Sequence, residues 1–159
     1  MIRFLTALLG ACSLMACAPG VAQQNPPGMA TQAQEAPQRI LFVGNSFTMG
    51  ANSAVLRYRP DSVEDINGEG VGGIPALFAR FAEQAGLDWT VAHETRGGTT
   101  LDFHLNQRRE EIDRPWDVVV MQQFSVLNPQ KPGDPGDTVR DAPALADIFA
   151  AQNEDVRVY

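Results

Sequence analysis

Gly44-Asn45-Ser46-Phe47-Thr48 closes the apolar run Arg39-Ile40-Leu41-Phe42-Val43. A buried strand that ends in Gly-Asn-Ser delivers a serine hydroxyl to the edge of a sheet. In open α/β sheets the carboxyl ends of the strands are where ligands bind. A glycine lets the strand turn sharply, and the serine after it sits where a backbone N–H can face the same substrate oxygen. The chemistry available to such a turn is nucleophilic: attack by Ser46, with the developing oxyanion held by backbone donors. All three residue types also make ordinary turns.

Two further strings occupy comparable places. Thr95-Arg96-Gly97-Gly98-Thr99-Thr100 follows a strand pattern over residues 88–93, and Met121-Gln122-Gln123-Phe124-Ser125 follows the buried run Asp117-Val118-Val119-Val120-Met121. The elements that must position these turns alternate between strand and helix, the pattern of a mainly parallel sheet covered on both faces. Residues 39–43 are the first strand. Residues 74–85 carry Ile74, Leu77, Phe78, Phe81, Ala82 and Ala85 at helical spacing, with Pro75 in the first turn and Gly86 placed to end the helix. Thr99 or Thr100 is expected to cap a helix through Leu101 and Leu105 toward Ile112. A further helix is expected over 141–152, and 156–159 start a fourth strand. The long connections 48–73 and 128–138 follow strands, where loops line binding sites.

Residues 1–17 read as a secretory signal. Met1-Ile2-Arg3 is a short positive start, and 4–16 is an apolar run too short to cross a bilayer as a helix. Leu14-Met15-Ala16-Cys17 resembles a bacterial lipobox, which would make Cys17 the lipidated N-terminus; Ala18 after it favours the outer membrane by the same resemblance. Ordinary cleavage nearby, for example after Ala22, would instead give a soluble periplasmic or secreted protein. Cys12 and Cys17 are the only cysteines. With both in the signal region, the domain is expected to lack disulfides, zinc–thiolate sites and a cysteine nucleophile. Residues 18–38 are rich in Gln, Pro, Ala and Gly without apolar periodicity, a flexible tether. Residues 39–159 then suffice for one modest domain. The net charge of −7 includes Arg3, the sole charge of the signal, so the exported chain is one unit more negative. That surface argues against nucleic acid and against docking on anionic headgroups. The membrane is expected as a partner only through an N-terminal lipid anchor.

The three strings together resemble the blocks of the SGNH (GDSL-like) hydrolases. Gly44-Asn45-Ser46-Phe47-Thr48 is similar to the first block, with Asn45 where many members have aspartate, and the resemblance makes Ser46 the nucleophile. It implies a second oxyanion donor from the backbone of a glycine after the second strand. Gly98 fits, having Thr100 two residues on, and Gly97 is the alternative. The third block usually reads Gly-X-Asn-Asp; here the string resembles a branch with Leu-Gln-X-X-Ser. Gln122, or Gln123 as the alternative, would supply the side-chain donor, although period-two alternation directs the pair to opposite faces. The fourth block, Asp-X-X-His, which carries the general base and its orienting carboxylate, is absent from the sequence. His93 falls in a strand and His104 in a helix, neither in that context.

The resemblance covers 38–159. It implies a three-layer α/β/α domain with a flavodoxin-like parallel sheet, its C-terminal part missing. It also implies a serine ester hydrolase acting on an acyl or acetyl ester of a carbohydrate or small molecule, with little activity in this chain as it stands. The alternative is a non-catalytic envelope lipoprotein that binds a glycan or peptide in the same crevice. No cofactor and no metal are expected. Nucleotide binding is the weakest reading. Gly68-Glu69-Gly70-Val71-Gly72-Gly73 follows the polar Glu64-Asp65-Ile66-Asn67 rather than a strand, and has neither dinucleotide spacing nor a Walker lysine. It reads as a flexible active-site lid. Asp61, Glu64, Asp65 and Glu69 lack the ordered spacing of a calcium loop. Glu110, Glu111 and Asp113 among Arg108, Arg109 and Arg114 read as a solvated helix face.

Overall fold

Alternate residues of one short strand feed two different cores. Leu41 and Val43 are buried with Ala92, Leu101, Ile112, Trp116, Val119, Leu145, Ile148 and Phe149. Ile40 and Phe42 are buried with Val91 and Val118 against Phe78, Ala79 and Trp89. This period-two division is what a strand buried on both faces requires. The computed structural model describes residues 36–159. The expected signal, Cys17 and nearly all of the tether therefore lie outside the described residues.

The elements run β1 (Gln38–Gly44), β2 (Glu64–Asp65), α1 (Gly73–Gln84), β3 (Trp89–Thr95), α2 (Leu101–Gln107), α3 (Arg109–Ile112), β4 (Val118–Met121), α4 (Gly136–Gln152) and β5 (Arg157–Val158). Short 3₁₀ turns at Ala54–Arg57 and Pro60–Ser62 lie between β1 and β2. The sheet order is β2-β3-β1-β4-β5, with every pairing parallel. Setting aside the two-residue β2, this is a flavodoxin-like order with the first strand central. One core lies beneath α2, α3 and α4. The other lies beneath α1, where Phe42, Phe78 and Trp89 stack edge to face at centroid separations of 5.6 and 5.5 Å. The three-layer α/β/α arrangement expected from the sequence is present. Among the described residues no helix is long and apolar enough to cross a membrane.

The structure departs from the sequence expectations in several places, each with a local cause. β1 begins at Gln38, one residue inside the expected tether, where the Gln38 N–H donates to the Asp88 carbonyl. The glycine-rich segment follows a strand after all, the short β2. Asp65 at the end of β2 accepts hydrogen bonds from the N–H groups of Asn67, Glu69 and Val71 at 3.0, 2.9 and 3.0 Å, so the expected flexible lid is clamped to a carboxylate. The helix expected to reach Ile112 breaks at Arg108, whose backbone leaves helical geometry (φ −127°, ψ 11°). Its guanidinium lies 3.3 Å from buried Glu94 and 2.8 Å from Glu111. Arg114 lies over the buried Trp116 ring at 4.9 Å, so these arginines are structural as well as solvated. The last helix starts at Gly136 rather than Asp141 and carries Pro143 inside it; its first turn is fixed by Asp134, which accepts from the Gly136 N–H at 2.8 Å.

Phe149 of α4 is fully buried against the central strands. Replacing it by alanine is expected to lower stability by about 3–5 kcal/mol, the usual range for a large aromatic removed from a core. Urea unfolding monitored by circular dichroism measures the loss.

Candidate active site

The turn after β1 is fixed from several sides before Ser46 is reached. Asn45 is 1% exposed, and its amide orientation is dictated by its neighbours. Nδ2 donates to the Thr99 carbonyl at 3.0 Å, and Oδ1 accepts from the Phe47 N–H at 3.2 Å. Its own N–H donates to Gln122 Oε1 at 3.2 Å. Thr48 is buried and donates its hydroxyl to the same Gln122 oxygen at 3.1 Å. The Thr48 carbonyl accepts from the Ile74 N–H at the start of α1, 3.0 Å away. Gly44 is needed here for close approach rather than for an unusual dihedral angle. A Cβ at that position would overlap the Thr48 hydroxyl and come within 3.1 Å of Gln122 Oε1.

Ser46 is half-buried at the start of a helical turn in which its carbonyl accepts from the Ala51 N–H at 2.9 Å. Among the described residues neither its hydroxyl nor its N–H has a hydrogen-bond partner. A pocket of about 230 Å³ opens beside it, lined by Ser46, Phe47, Gly50, Ala51, Asn52 and Ser53. Phe47 is 64% exposed at its rim.

The two other strings come to the same edge. Register pairs Gly44 with Thr95 and Val43 with Met121, so all three turns leave the sheet side by side. The Arg96 N–H donates to the Gly44 carbonyl at 3.0 Å, and the Gln122 N–H to the Val43 carbonyl at 2.9 Å. Gly98 adopts φ +79°, a conformation that favours glycine. Neither the Gly97 nor the Gly98 N–H has a partner among the described residues, and nothing lies within 4 Å of where a side chain would stand. Gly97 and Gly98 therefore both remain available as donors.

The glutamines divide differently from expectation. Gln122 braces the Ser46 turn through Oε1, and its Nε2 donates to the Gln123 carbonyl, so its carboxamide is engaged on both sides. Gln123 Oε1 accepts from the N–H groups of Leu101 and Phe124 at 3.1 and 2.7 Å. Those donors oblige the facing atom to be oxygen, which leaves Gln123 Nε2 as a buried donor with no partner. Thr100 stands at the N-cap of α2 without capping through its side chain; the Gln123 amide takes that place.

Beneath the edge lies a polar cluster that the sequence reading passed over. Glu94, near the end of β3, is fully buried. It accepts from His104 Nδ1 on α2 and from Asn67 Nδ2 at 3.1 Å, with Arg108 alongside. Burial pushes its carboxyl up, but the His104 bond, then Asn67 and Arg108, more than offset this and hold it below the ordinary glutamate range. Asp65 behaves alike: burial raises it, and the Val71 N–H, the nearby His93 and the N–H groups of Asn67 and Glu69 hold it low. His93 is buried with Nε2 donating to the Val71 carbonyl at 2.8 Å. Both histidines are thus committed to internal partners. Among the described residues no group of three or more His, Cys, Asp or Glu side chains could hold a metal ion.

No family model matches the sequence, and no curated protein matches it either. Solved structures do. TesA superposes with a TM-score of 0.52 and 18% identity, covering 76% of this chain and 58% of its own length. A candidate SGNH hydrolase from Slackia heliotrinireducens gives a TM-score of 0.47 and 22% identity, covering 77% of this chain and 54% of its own. The chain spans little more than half the length of either. Over most of its described length the chain shares the α/β fold of TesA.

Asn45→Asp would remove the only group among the described residues that donates to the Thr99 carbonyl, and set a carboxylate against it. The expected cost at neutral pH is about 1–3 kcal/mol, that of an unsatisfied buried polar group, and thermal unfolding reads it. The acid limb of stability follows from the two depressed carboxyls. Their folded forms favour ionisation, so their contribution is complete above about pH 5 and fades as pH falls through the folded values. Glu94→Gln is expected to flatten that limb, measured as the unfolding midpoint between pH 7 and pH 3.

Proposed function

We propose that this domain is a serine ester hydrolase of SGNH type, acting on an acyl or acetyl ester of a carbohydrate or small molecule. The observation that carries the reading is the unpartnered donor set at one sheet edge. The Ser46 hydroxyl stands with the backbone N–H of Ser46, and the Gly98 or Gly97 N–H belongs to a turn hydrogen-bonded to the Ser46 turn through Asn45. In the proposed reaction Ser46 Oγ bonds to the acyl carbon, and the free N–H groups hold the oxyanion. The carbonyl then re-forms as the alcohol leaves with the hydroxyl proton. Water releases the acid and returns the proton to Ser46. Gln122 serves this scheme as the brace of the nucleophile turn. Its resemblance-based role as side-chain donor requires a different partner for Nε2, and Gln123 carries the unpartnered amide instead.

His93 and His104 are fully buried and bonded away from Ser46, so the general base and its carboxylate come from outside residues 36–159 in this reading. The same fact favours a second reading, an envelope lipoprotein or periplasmic protein that binds a glycan or peptide at this edge without turning it over. Export, and anchoring through Cys17, belong to either reading, and no cofactor is required by either.

A fluorophosphonate probe separates the two. It forms a bond from Ser46 Oγ to phosphorus, with fluoride as the leaving group. Stoichiometric labelling at Ser46, lost in Ser46→Ala with the unfolding midpoint unchanged, supports the hydrolase. Labelling that persists in Ser46→Ala removes Ser46 from its role. Absence of labelling together with saturable glycan binding favours the second reading.

A further inference from the structure

A buried carboxylate–imidazole pair that touches no substrate needs a reason to exist. Replacing such a pair by apolar residues of similar volume is often neutral or stabilising. Here the pair connects to the proposed oxyanion turn through a single residue. His104 donates from Nδ1 to Glu94, and its Nε2 lies 3.3 Å from Thr99 Oγ1. The Thr99 hydroxyl donates to the Arg96 carbonyl at 2.7 Å, and the Thr99 carbonyl accepts from Asn45 Nδ2 at 3.0 Å. Arg96 in turn donates its N–H to the Gly44 carbonyl.

Gly97 and Gly98 lie between these two anchored residues. They make no hydrogen bonds of their own among the described residues, and no neighbouring atom lies where a side chain would pack. Their N–H groups can therefore be aimed only through Arg96 and Thr99. We propose that the Glu94–His104 pair is a positioning device, which fixes Thr99 and through it the Gly97–Gly98 donors for reaction at Ser46. The inference rests on the nucleophile reading given above. It identifies neither Glu94 nor His104 as a group that touches substrate.

The test uses the full chain and fluorophosphonate labelling resolved into a half-saturating concentration and a maximal rate. Thr99→Val keeps the shape of a half-buried side chain and removes the hydroxyl that joins His104 to the turn. The expected result is a maximal rate lower by about 10- to 100-fold, the effect of misplacing a reacting group by about 1 Å, at an unchanged half-saturating concentration. Thr99→Ser restores the rate. The Gly98 amide resonance is expected to move in Thr99→Val and Glu94→Gln but not in Thr99→Ser. Labelling at the unaltered rate in a folded Thr99→Val protein overturns the inference while leaving Ser46 as nucleophile. If the unaltered chain is not labelled at all, the general base missing from residues 36–159 accounts for it, and labelling does not bear on the positioning role. The Gly98 resonance then decides, and a resonance unmoved by both Thr99→Val and Glu94→Gln overturns the positioning role.

Discussion

The amide of Asn45 is the constraint on which the edge of this sheet depends. Three turns leave three adjacent strands, and parallel pairing fixes where each begins but not where each goes. Beyond the last ladder bonds, strand pairing alone does not fix a serine hydroxyl or two glycine N–H groups. Asn45 removes that freedom because one short side chain both donates and accepts. Its Nδ2 holds the turn after β3, its Oδ1 closes the turn that carries Ser46, and its backbone N–H reaches the side chain of Gln122 after β4. A carboxylate could satisfy only the accepting half of that set. Burial to 1% exposure strengthens each bond and makes each costly to lose.

The polar groups under the edge form a second layer with the same logic. Glu94, His104, Asn67 and Arg108 come from β3, α2, the segment after β2, and the break before α3, so one buried cluster joins four parts of the chain. Apolar packing of equal volume would tolerate small slips between those parts. A hydrogen-bonded carboxylate does not, because any slip leaves a buried charge short of a donor. The break in the helix at Arg108 fits this account, since a continuous helix would not require the guanidinium to turn toward Glu94.

How far the sequence could be read depended on whether a signal was local. The buried strands were legible because Leu41 and Val43, Ile40 and Phe42, and the valines of β4 leave little else for such runs to be. The helix over 74–85 was legible from its stripe, with Gly86 at φ +70° ending it as placed. Ser46, Gly98 and Gln122 could be assigned to one edge because each directly follows a strand. Glu94 was illegible for the opposite reason. Charged residues are rarely buried unless paired, so nothing local marks Glu94 as part of the strand, and the partner that makes it admissible lies ten residues away on another element. β2 was missed because two residues paired to β3 carry no periodicity. The roles of Gln122 and Gln123 turned on which backbone N–H each oxygen meets, which no spacing rule contains.

The arrangement also separates two parts of serine chemistry that are often treated as one. In the proposed reaction, oxyanion stabilisation comes from backbone donors on the β1 and β3 turns and needs no proton transfer to exist. In serine hydrolases such donors retain part of the rate acceleration even when the triad is removed. The base is a different requirement, and both imidazoles among residues 36–159 are already committed to buried partners. A surface with preorganised donors and no facing imidazole still favours a tetrahedral anion over a planar carbonyl. In the proposed reading, affinity for a tetrahedral phosphorus or boron centre and the rate of ester turnover are therefore separable properties of this edge. On that reading the first would depend on Asn45, Thr99 and Gly98, and the second on a base that those residues do not supply.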